Sequence, residues 1–336
     1  MTVPDPMLAP SIRWGILGAG GIARRFAREI PLYTTSTVVA VGSRDLARAQ
    51  GFVAEMYGQT SPTRAYGSYD ELVAQPDLDA IYVASPHSEH HDHAILALEA
   101  GKPVLVEKAF TLNVAQAEAV FAVARRQGLF AMEAMWSRQL PHYSALRQLV
   151  VSGELGDLQS ILGLHTQSLN LDPAWRMINP ALGGGALLDL GVYPLSLFHF
   201  LLGVPETIAA NGVLTASGVD LRETVVCGYG QRQAVAYNDM AAAGRSTAQI
   251  LCSGGRIELG DSFYGPQDLV VTPLGGQPRT LPTRVDGGFQ YEAAEVARCL
   301  AAGRTESDLM TWRDTIEVMA MMDEVRRQLG VRYAVD

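Results

Sequence analysis

Short apolar runs alternate with segments of helical hydrophobic spacing from residue 12 to residue 132. Runs of this kind are typical of buried parallel strands that are connected by helices. The sequence predicts six strands, at residues 12–17, 37–43, around Tyr66, 80–84, 103–106 and 129–132. It predicts the connecting helices at residues 21–30, 45–57, 68–73, 89–100 and 113–127. This order of elements indicates an α/β domain with a doubly wound parallel sheet, the Rossmann architecture.

The pattern changes after a helix predicted at residues 142–151. Polar and apolar residues then alternate with period two, which predicts strands at 158–167, 207–215, 223–229, 234–240, 246–252 and 255–259. Helices are predicted at 185–202, 290–302 and 312–328. We therefore expect an α+β domain with a mostly antiparallel open sheet and helices on one face. The predicted organisation is a tail at 1–11, a first domain at 12–134 and a second at 135–336.

Composition and charge narrow the classes of function. The chain has 336 residues, 48% of them hydrophobic, and a formal net charge of −9, which argues against nucleic acid or an anionic membrane as the main partner. The three cysteines are far apart and form no CxxC pattern, as expected for a reducing compartment. The first eleven residues lack the basic and apolar runs of a secretion signal, and no run approaches the length of a membrane span. We expect a cytoplasmic protein.

A glycine-rich turn joins the first predicted strand to the first predicted helix. Its residues Gly18, Gly20, Gly21, Ile22 and Ala23 fit the pattern G-x-G-x-x-G/A, with Ala23 in the third place. In this context Gly18 permits a tight turn, Gly20 allows close approach of a pyrophosphate, and Ala23 keeps the helix near the sheet. The free N–H groups at the helix start favour phosphate. The sequence therefore predicts that this turn binds a nicotinamide dinucleotide.

The end of the second predicted strand indicates which dinucleotide is bound. An NAD-preferring domain usually has a carboxylate there for the ribose 2′-hydroxyl, whereas this chain has Ser43 and Arg44. A guanidinium suits a 2′-phosphate because it forms forked, charged hydrogen bonds. We therefore expect NADP(H) to be favoured over NAD(H). Asp45 follows directly, so NAD stays open if the strand ends one or two residues later.

Two further segments carry candidate chemistry. Glu107 and Lys108 follow the fifth predicted strand, whose carboxyl end faces the ligand crevice of an open α/β sheet. In the second domain, three glycines precede a mostly apolar helix that contains Asp189 and Tyr193. These two residues are four apart and share one helix face. A carboxylate and a phenol in such surroundings require a polar partner or a ligand.

Together these segments resemble the glucose–fructose oxidoreductase, inositol dehydrogenase and rhizopine-catabolism (MocA) family, over nearly the whole chain. The resemblance also rests on Ser85, Pro86, His87 and His90, which follow the fourth predicted strand. Residues 133–138, followed by Pro141, resemble the Glu-Ala-x-Trp-x-Arg segment of the dihydrodiol dehydrogenase and sugar oxidoreductase branch. The usual tyrosine of that branch matches Tyr193, where inositol-type members carry histidine.

The resemblance implies roles for individual residues. Lys108 and Tyr193 form the acid/base pair and Asp189 positions the substrate, while Ser85, Pro86, His87, His90, Glu107 and Lys108 contact the cofactor. A phenol titrates near pH 10, so we expect the nearby Lys108 ammonium to lower the pKa of Tyr193. The family usually has Glu-Lys-Pro, often with a cis bond before the proline. This chain has Ala109, which leaves a trans bond and a strained cis bond both open.

Other side chains are weaker candidates. Trp136, Arg138 and Arg176 are expected to contact the substrate, because Trp and Arg suit sugar or diol ligands. Packing in the core is an equal alternative for Trp136. Four histidines, His87, His90, His91 and His93, lie close together in the sequence, but the family segment accounts for the first two and the others are expected on a helix surface. We predict no metal site.

The sequence thus favours a soluble NADP-dependent dehydrogenase or reductase that acts on a sugar, a polyol or a cyclic diol. The alternative is a regulator that senses NADP or a sugar and has lost catalysis. The presence of Lys108, Asp189 and Tyr193 favours the enzyme. The resemblance also implies a homodimer formed through the sheet of the second domain, which is expected to serve both substrate binding and oligomerisation.

Overall fold

The computed structural model describes residues 3–172 and 174–336 of the chain. The first sheet has six parallel strands in the order β3-β2-β1-β4-β5-β6. They are β1 (Arg13–Leu17), β2 (Thr37–Gly42), β3 (Arg64–Tyr66), β4 (Ala80–Val83), β5 (Val104–Glu107) and β6 (Ala131–Ala134). The connecting helices are α1 (Gly21–Tyr33), α2 (Leu46–Tyr57), α3 (Tyr69–Val73), α4 (His90–Glu99) and α5 (Val114–Gln127). This arrangement confirms the predicted doubly wound sheet.

Local signals in the sequence determine where these helices begin and end. Asp45 and Asn113 accept hydrogen bonds from the first backbone N–H groups of α2 and α5. Gly128 adopts a left-handed conformation that ends α5. The strand order reverses at β1, between β2 and β4, so the carboxyl ends of these strands open a crevice where such folds bind ligands.

The second sheet has eight strands in the order β14-β13-β12-β11-β7-β10-β9-β8. They are β7 (Leu158–Thr166), β8 (Thr207–Leu214), β9 (Asp220–Tyr229), β10 (Arg232–Asp239), β11 (Ala248–Cys252), β12 (Gly255–Leu259), β13 (Leu269–Pro273) and β14 (Arg279–Leu281). Neighbours are antiparallel except β7 and β10. The mostly antiparallel sheet is confirmed. β13 and β14 were not predicted, because they are short and one ends in proline. Pairing of β13 with β12 and of β14 with β13 creates them, rather than a local pattern.

The helices of the second half are α6 (Pro141–Ser152), α7 (Val192–Leu202), α8 (Phe289–Ala301) and α9 (Trp312–Leu329). A π-helical turn, Leu187–Gly191, leads into α7. The last two helices pack back onto the first sheet and its helices, and the Trp312 indole donates to the Ala131 carbonyl at 2.8 Å. The division at residues 134 and 135 stays a prediction, since α8 and α9 contact both halves of the chain.

One segment, Pro180–Leu202, is long and apolar enough to cross a membrane by length and composition. This corrects the expectation that no run approaches a membrane span. Of the most apolar window in this segment, 78% is buried inside the fold. α7 packs against β7 and α9 there, so the apolar residues of this segment form core contacts.

Candidate active site

A cleft of about 740 Å³ lies at the carboxyl ends of the parallel strands. Twelve of the predicted cofactor contacts line it: Gly18, Gly20, Gly21, Ile22, Ser43, Arg44, Ser85, Pro86, His87, His90, Glu107 and Lys108. Ala23 is fully buried beneath the turn instead, where its small side chain keeps α1 close to the sheet. Asp189 and Arg176 line the same cleft from the second half of the chain.

The glycine turn has the form that a pyrophosphate requires. Gly18 has a φ of +111°, and a Cβ atom there would lie 2.7 Å from the Ala84 carbonyl oxygen. Gly20 precedes α1 without any side-chain cap, so the first N–H groups of the helix face the cleft. At Gly21 an added Cβ would meet nothing within 4 Å. The residues present therefore fit a dinucleotide whose phosphates lie at the start of α1.

The end of the cleft beside β2 is basic. Arg44 and Arg48 both line it, together with Ser43 and Tyr69. Asp45 is also present, but its carboxylate accepts the Ala47 N–H at 2.8 Å and so caps α2. Arg48 and Tyr69 were not predicted. Arg48 was recognisable in principle, because it lies in the first turn of α2 and therefore close to the strand end that carries Arg44.

Buried histidines contact the segments that follow the parallel strands. His87 lies 3.0 Å from the Gly183 carbonyl through Nδ1, and His90 lies 2.9 Å from the carbonyls of Ser85 and Ala109. Burial lowers the pKa of His87 to about 3 and that of His90 to about 4, so both are neutral at physiological pH. His93 is buried against the Tyr69 ring, which corrects the expectation that it lies on a helix surface.

In the part of the chain that the structure describes, no group of three or more His, Cys, Asp or Glu side chains is arranged to hold a metal ion.

Lys108 and Asp189 form an ion pair between the two halves of the chain. Lys108 Nζ donates to the Asp189 carbonyl at 2.8 Å and to its carboxylate at 3.1 Å. Arg176 Nη2 lies 3.3 Å from the same carboxylate. Burial alone would raise the pKa of Asp189, but the charges of Lys108 and Arg176 hold it well below its usual value. Asp189 is therefore ionised, and it fixes the position of the Lys108 ammonium.

Tyr193 lies beside this pair but is not among the residues that line the cleft, and its phenol is not ionised. Lys108 Nζ is 4.9 Å from the centroid of the Tyr193 ring, and Tyr264 stacks on that ring at 4.3 Å. Burial, reinforced by the charge of Glu107, raises the pKa of Tyr193 well above its usual value. The expectation that Lys108 lowers this pKa is therefore wrong for this arrangement, because the ammonium pairs with Asp189 and faces the ring.

Glu107 supports the backbone that carries Lys108. Its carboxylate accepts the Tyr82 hydroxyl and, at 3.1 Å, the Lys108 N–H. Burial raises the pKa of Glu107. Tyr82 is held in turn by Phe26 of α1, whose ring stacks on it at 3.9 Å. The bond between Lys108 and Ala109 is cis, one of the two alternatives that the sequence left open.

Comparison with known proteins identifies the family. Residues 12–135 match the model of an oxidoreductase family with an NAD-binding Rossmann fold, and residues 143–258 match the GFO/IDH/MocA C-terminal domain. A D-xylose 1-dehydrogenase (NADP(+)) from Hypocrea jecorina is 34% identical, over 96% of this chain and 93% of its own. A trans-1,2-dihydrobenzene-1,2-diol dehydrogenase from Xenopus tropicalis is 35% identical, over 96% of this chain and 99% of its own. The chain belongs to the GFO/IDH/MocA family of oxidoreductases.

Solved structures of similar fold agree with this assignment. A 3-ketoreductase from Actinomadura kijaniata, in complex with NADP and TDP-benzene, superposes with a TM-score of 0.82 at 26% identity, over 95% of this chain and 98% of its own. An aldose-aldose oxidoreductase from Caulobacter crescentus, complexed with glycerol, has a TM-score of 0.85 at 24% identity, over 96% and 98%. The family models and the two curated relatives show that the chain is an NAD(P)-binding oxidoreductase of the predicted branch, and the solved structures agree in fold.

Two of the three predicted substrate contacts of this GFO/IDH/MocA protein lie behind the cleft. Arg138 is buried, and its guanidinium contacts Ser196 at 2.9 Å and Asp314 at 3.4 Å. Trp136 is buried against Tyr193 and also lies outside the cleft lining. Arg176 does line the cleft, beside Trp175, which is 46% exposed. The spacing of residues in the sequence could not distinguish the buried Trp136 and Arg138 from Arg176 in the cleft, because the burial of a side chain here depends on contacts with distant helices such as α7 and α9.

Proposed function

We propose that this protein transfers a hydride between NADP(H) and a carbinol or carbonyl group of a sugar, a polyol or a cyclic diol. The observation that carries the proposal is one continuous cleft. The glycine turn and two arginines lie toward one end, and the Lys108–Asp189 pair lies at the other. A nicotinamide that extends from the turn toward Lys108 brings the reacting carbon to a charged site beside a phenol.

NADP(H) is favoured over NAD(H) by the groups beside β2. Arg44 and Arg48 supply two guanidinium groups for a 2′-phosphate, and Ser43 adds a hydroxyl. The carboxylate of Asp45, which would suit a ribose 2′-hydroxyl, is used as a helix cap. The Hypocrea jecorina relative carries NADP(+) in its name, and the Actinomadura kijaniata structure contains NADP.

Tyr193, Lys108 and Asp189 have different roles in proton transfer. When bound, the nicotinamide accepts or supplies the hydride. Tyr193 is neutral and so can donate its proton to a forming alkoxide in the direction of reduction. Lys108 places a positive charge where the alkoxide develops, and Asp189 holds that charge in position. In oxidation Tyr193 must first lose its proton, which its burial disfavours.

The substrate class follows from the entrance of the cleft and from the relatives. Trp175 offers an exposed indole face and Arg176 a half-exposed guanidinium, which suit the rings and hydroxyl groups of sugars and diols. The names of the relatives specify D-xylose, a dihydrobenzene diol and aldoses. All these substrates offer a hydroxyl-bearing carbon to the same site.

We also infer a cytoplasmic homodimer without nucleic-acid or membrane partners. The open face of the second sheet carries Leu162 and Leu164, which are 39% and 44% exposed. Apolar side chains on such a face favour association with a second copy. The buried thiols of Cys227 and Cys299 fit a reducing compartment, and the net charge of −9 disfavours polyanionic partners.

A turnover screen tests the proposed activity. Aldoses, polyols and diols are each assayed with NADP and NAD in parallel, and the variants Lys108→Ala and Tyr193→Phe are assayed with the best substrate. We expect turnover with NADP and a loss of about 100-fold or more in each variant. Full turnover by either variant would contradict the assigned roles. Failure to consume NADP or NADPH across the whole panel would instead favour the non-catalytic sensor.

A further inference from the structure

Trp136 makes a direct hydrogen bond to the phenol of Tyr193. Its indole Nε1 donates to Tyr193 Oη at 3.2 Å, and the two side chains belong to residues only 5% and 7% exposed. Among residues 3–172 and 174–336, this indole is the one hydrogen-bond partner found for that hydroxyl. The contact joins the segment after β6 to the first turn of α7. The sequence led us to expect that Trp136 contacts the substrate, whereas the structure places its indole against the Tyr193 hydroxyl.

An indole nitrogen has a hydrogen to donate and no lone pair to accept one. The bond therefore occupies one acceptor position of Tyr193 Oη and leaves the phenolic hydrogen available for another group. We propose that Trp136 is a positioning residue of the proton-transfer site, holding the Tyr193 oxygen so that its O–H is available to substrate and stabilising the tyrosinate that forms when substrate is oxidised. This inference rests on the acid/base role proposed for Tyr193.

The indole is held in place from several sides. The Arg25 guanidinium lies 4.5 Å from the centroid of the Trp136 ring, and the Phe289 ring meets it edge-on at 5.0 Å. Arg25 is itself fixed by an ion pair with Glu29 at 2.6 Å. At Gly288 a Cβ atom would collide with the indole, so the backbone there approaches as closely as glycine allows. A ring with so little freedom can direct a hydrogen bond at one atom.

The hydrogen bond from Trp136 stabilises Tyr193 most when the phenol is ionised, because the surroundings of the phenol disfavour its negative charge. The titratable groups around it, from the elements packed against it, are Tyr82, Glu107, Lys108, His165, Asp189 and Tyr264. Glu107 and Asp189 oppose a negative charge on the phenol, and Lys108 is paired with Asp189. A donor to the charged oxygen forms a stronger bond than a donor to the neutral one. Loss of the indole N–H should therefore raise the pKa of Tyr193.

The variant Trp136→Phe tests the role, because it keeps an aromatic ring and removes the N–H. We expect kcat for oxidation at neutral pH to fall about tenfold, with KM and NADP affinity within about twofold of the wild type. The rise of kcat with pH should move about one pH unit higher, the shift that corresponds to tenfold. The matched control is Trp312→Phe, which loses an indole hydrogen bond of similar burial that is donated to the Ala131 carbonyl and not to Tyr193.

The control separates positioning from folding. If Trp136→Phe and Trp312→Phe lower kcat equally, or if the pH profile of Trp136→Phe superposes on that of the wild type, the role of Trp136 is structural and the proposal fails. A rise in KM alone would also overturn it, in favour of the substrate contact expected from sequence.

A double-mutant cycle gives a test that does not depend on the fold of one variant. In a Tyr193→Phe background, Trp136→Phe should have no further effect on kcat, because the oxygen that it holds is gone. If the two substitutions instead lower kcat by factors that multiply in the double variant, the proposal for Trp136 is overturned and the role of Tyr193 stays intact. Full activity of Tyr193→Phe alone would instead contradict the proposed mechanism itself.

Discussion

The charge on Lys108 and the proton on Tyr193 are controlled by separate neighbours. Lys108 is paired with Asp189 at 3.1 Å, whereas the phenol is surrounded by aromatic rings and lies near the buried Glu107. A buried phenol without a cation at its oxygen keeps its proton, because the site cannot solvate a tyrosinate. The site as a whole is therefore better arranged to give a proton than to take one at neutral pH.

This arrangement predicts a pH dependence that differs between the two directions. Because the pKa of Tyr193 is raised, the acidic form needed for reduction persists across neutral and mildly alkaline pH. The basic form needed for oxidation becomes populated only as pH rises toward that raised pKa. We expect kcat for reduction to be nearly constant from roughly pH 6 to 9, while kcat for oxidation keeps rising.

Steady-state pH profiles in both directions would measure this. Tyr193→Phe is the control, since its residual oxidation should lose most of the rise. An oxidation profile that reaches its plateau below about pH 8 would show that the pKa of the base is not raised.

Arg44 and Arg48 give a second prediction at this scale. Replacing either by Ala removes charged donors from the end of the cleft beside β2. We expect the Kd for NADP to rise roughly 10- to 100-fold, since a hydrogen bond to a charged group is worth about 1.5–3 kcal/mol. The Kd for NAD should change little. Fluorescence titration of both dinucleotides would measure these constants.

Arg28→Ala is the matched control, because Arg28 is exposed on α1 and its loss changes the net charge by the same amount. Equal losses of NADP and NAD affinity in Arg44→Ala would contradict a 2′-phosphate site.

Residues that belong to a local motif could be found from sequence, and those defined by distant contacts could not. Gly18, Arg44 and Lys108 were found because turn, strand end and sheet edge place them. The burial of Arg138 depends on α7 and α9, which follow it by more than fifty residues. The raised pKa of Tyr193 likewise depends on Tyr264 and Glu107 from distant segments. No local pattern carries that information.

At the scale of elements, two glycines in the turn between β1 and α1 have different roles. Gly18 is required by the backbone of the turn, and Gly20 leaves room for the dinucleotide. Gly18 has a left-handed backbone and lies against Ala84, whereas an added Cβ at Gly20 would be 4.0 Å from its nearest neighbour. We therefore expect Gly18→Ala to lower both Tm and NADP affinity. The left-handed conformation alone costs an L residue about 1–2 kcal/mol, which for a chain of this length corresponds to a fall in Tm of about 1.5–3 °C. The close approach to Ala84 adds to this fall.

Gly20→Ala is the comparison variant for this prediction. Its methyl group would stand in the cleft, so we expect Tm within about 1 °C of the wild type and at least a tenfold loss of NADP affinity. Thermal unfolding and dinucleotide titration of both variants would separate the two effects. Equal losses of Tm would show that both glycines are structural.

A helix or strand could be predicted where the period of its hydrophobic residues and the residue types at its ends indicated the same element. Most of the parallel strands and the helices that connect them have such signals, including the Asp45 and Asn113 caps and Gly128. The strands β13 and β14 lack them, since β14 has three residues and β13 ends in Pro273. They exist because β13 pairs with the edge of β12 and β14 pairs with β13, and such an edge is a property of the folded sheet.

At the scale of the whole molecule, the site depends on contact between the two halves of the chain. Lys108 stands at the end of β5, whereas Asp189 and Tyr193 come from the π-helical turn and α7. The helices α8 and α9 return to pack on α1 and α5, which ties the second half to the dinucleotide-binding half. Hydride transfer needs cofactor and substrate in fixed geometry, and such packing provides it.

The second sheet has helices on one face, and its other face presents an apolar patch. Leu162 and Leu164 of β7 pair with Val235 and Tyr237 of β10, so these four side chains are neighbours on that face. A stable homodimer typically buries about 1,200–2,000 Å² in total, which a face of eight strands can supply. We therefore predict that the double variant Leu162→Arg/Leu164→Arg is monomeric, because dimerisation would bury four unpaired charges.

Size-exclusion chromatography with light scattering would measure the change in mass. Val151→Arg is the matched control, since Val151 is a 77% exposed apolar residue on α6, away from this sheet, and should leave the dimer intact. NADP affinity should be retained in the double variant, because the cleft lies at the edge of the other sheet. A monomeric wild-type protein would refute the dimer. A double variant that stays dimeric would place the interface on another surface.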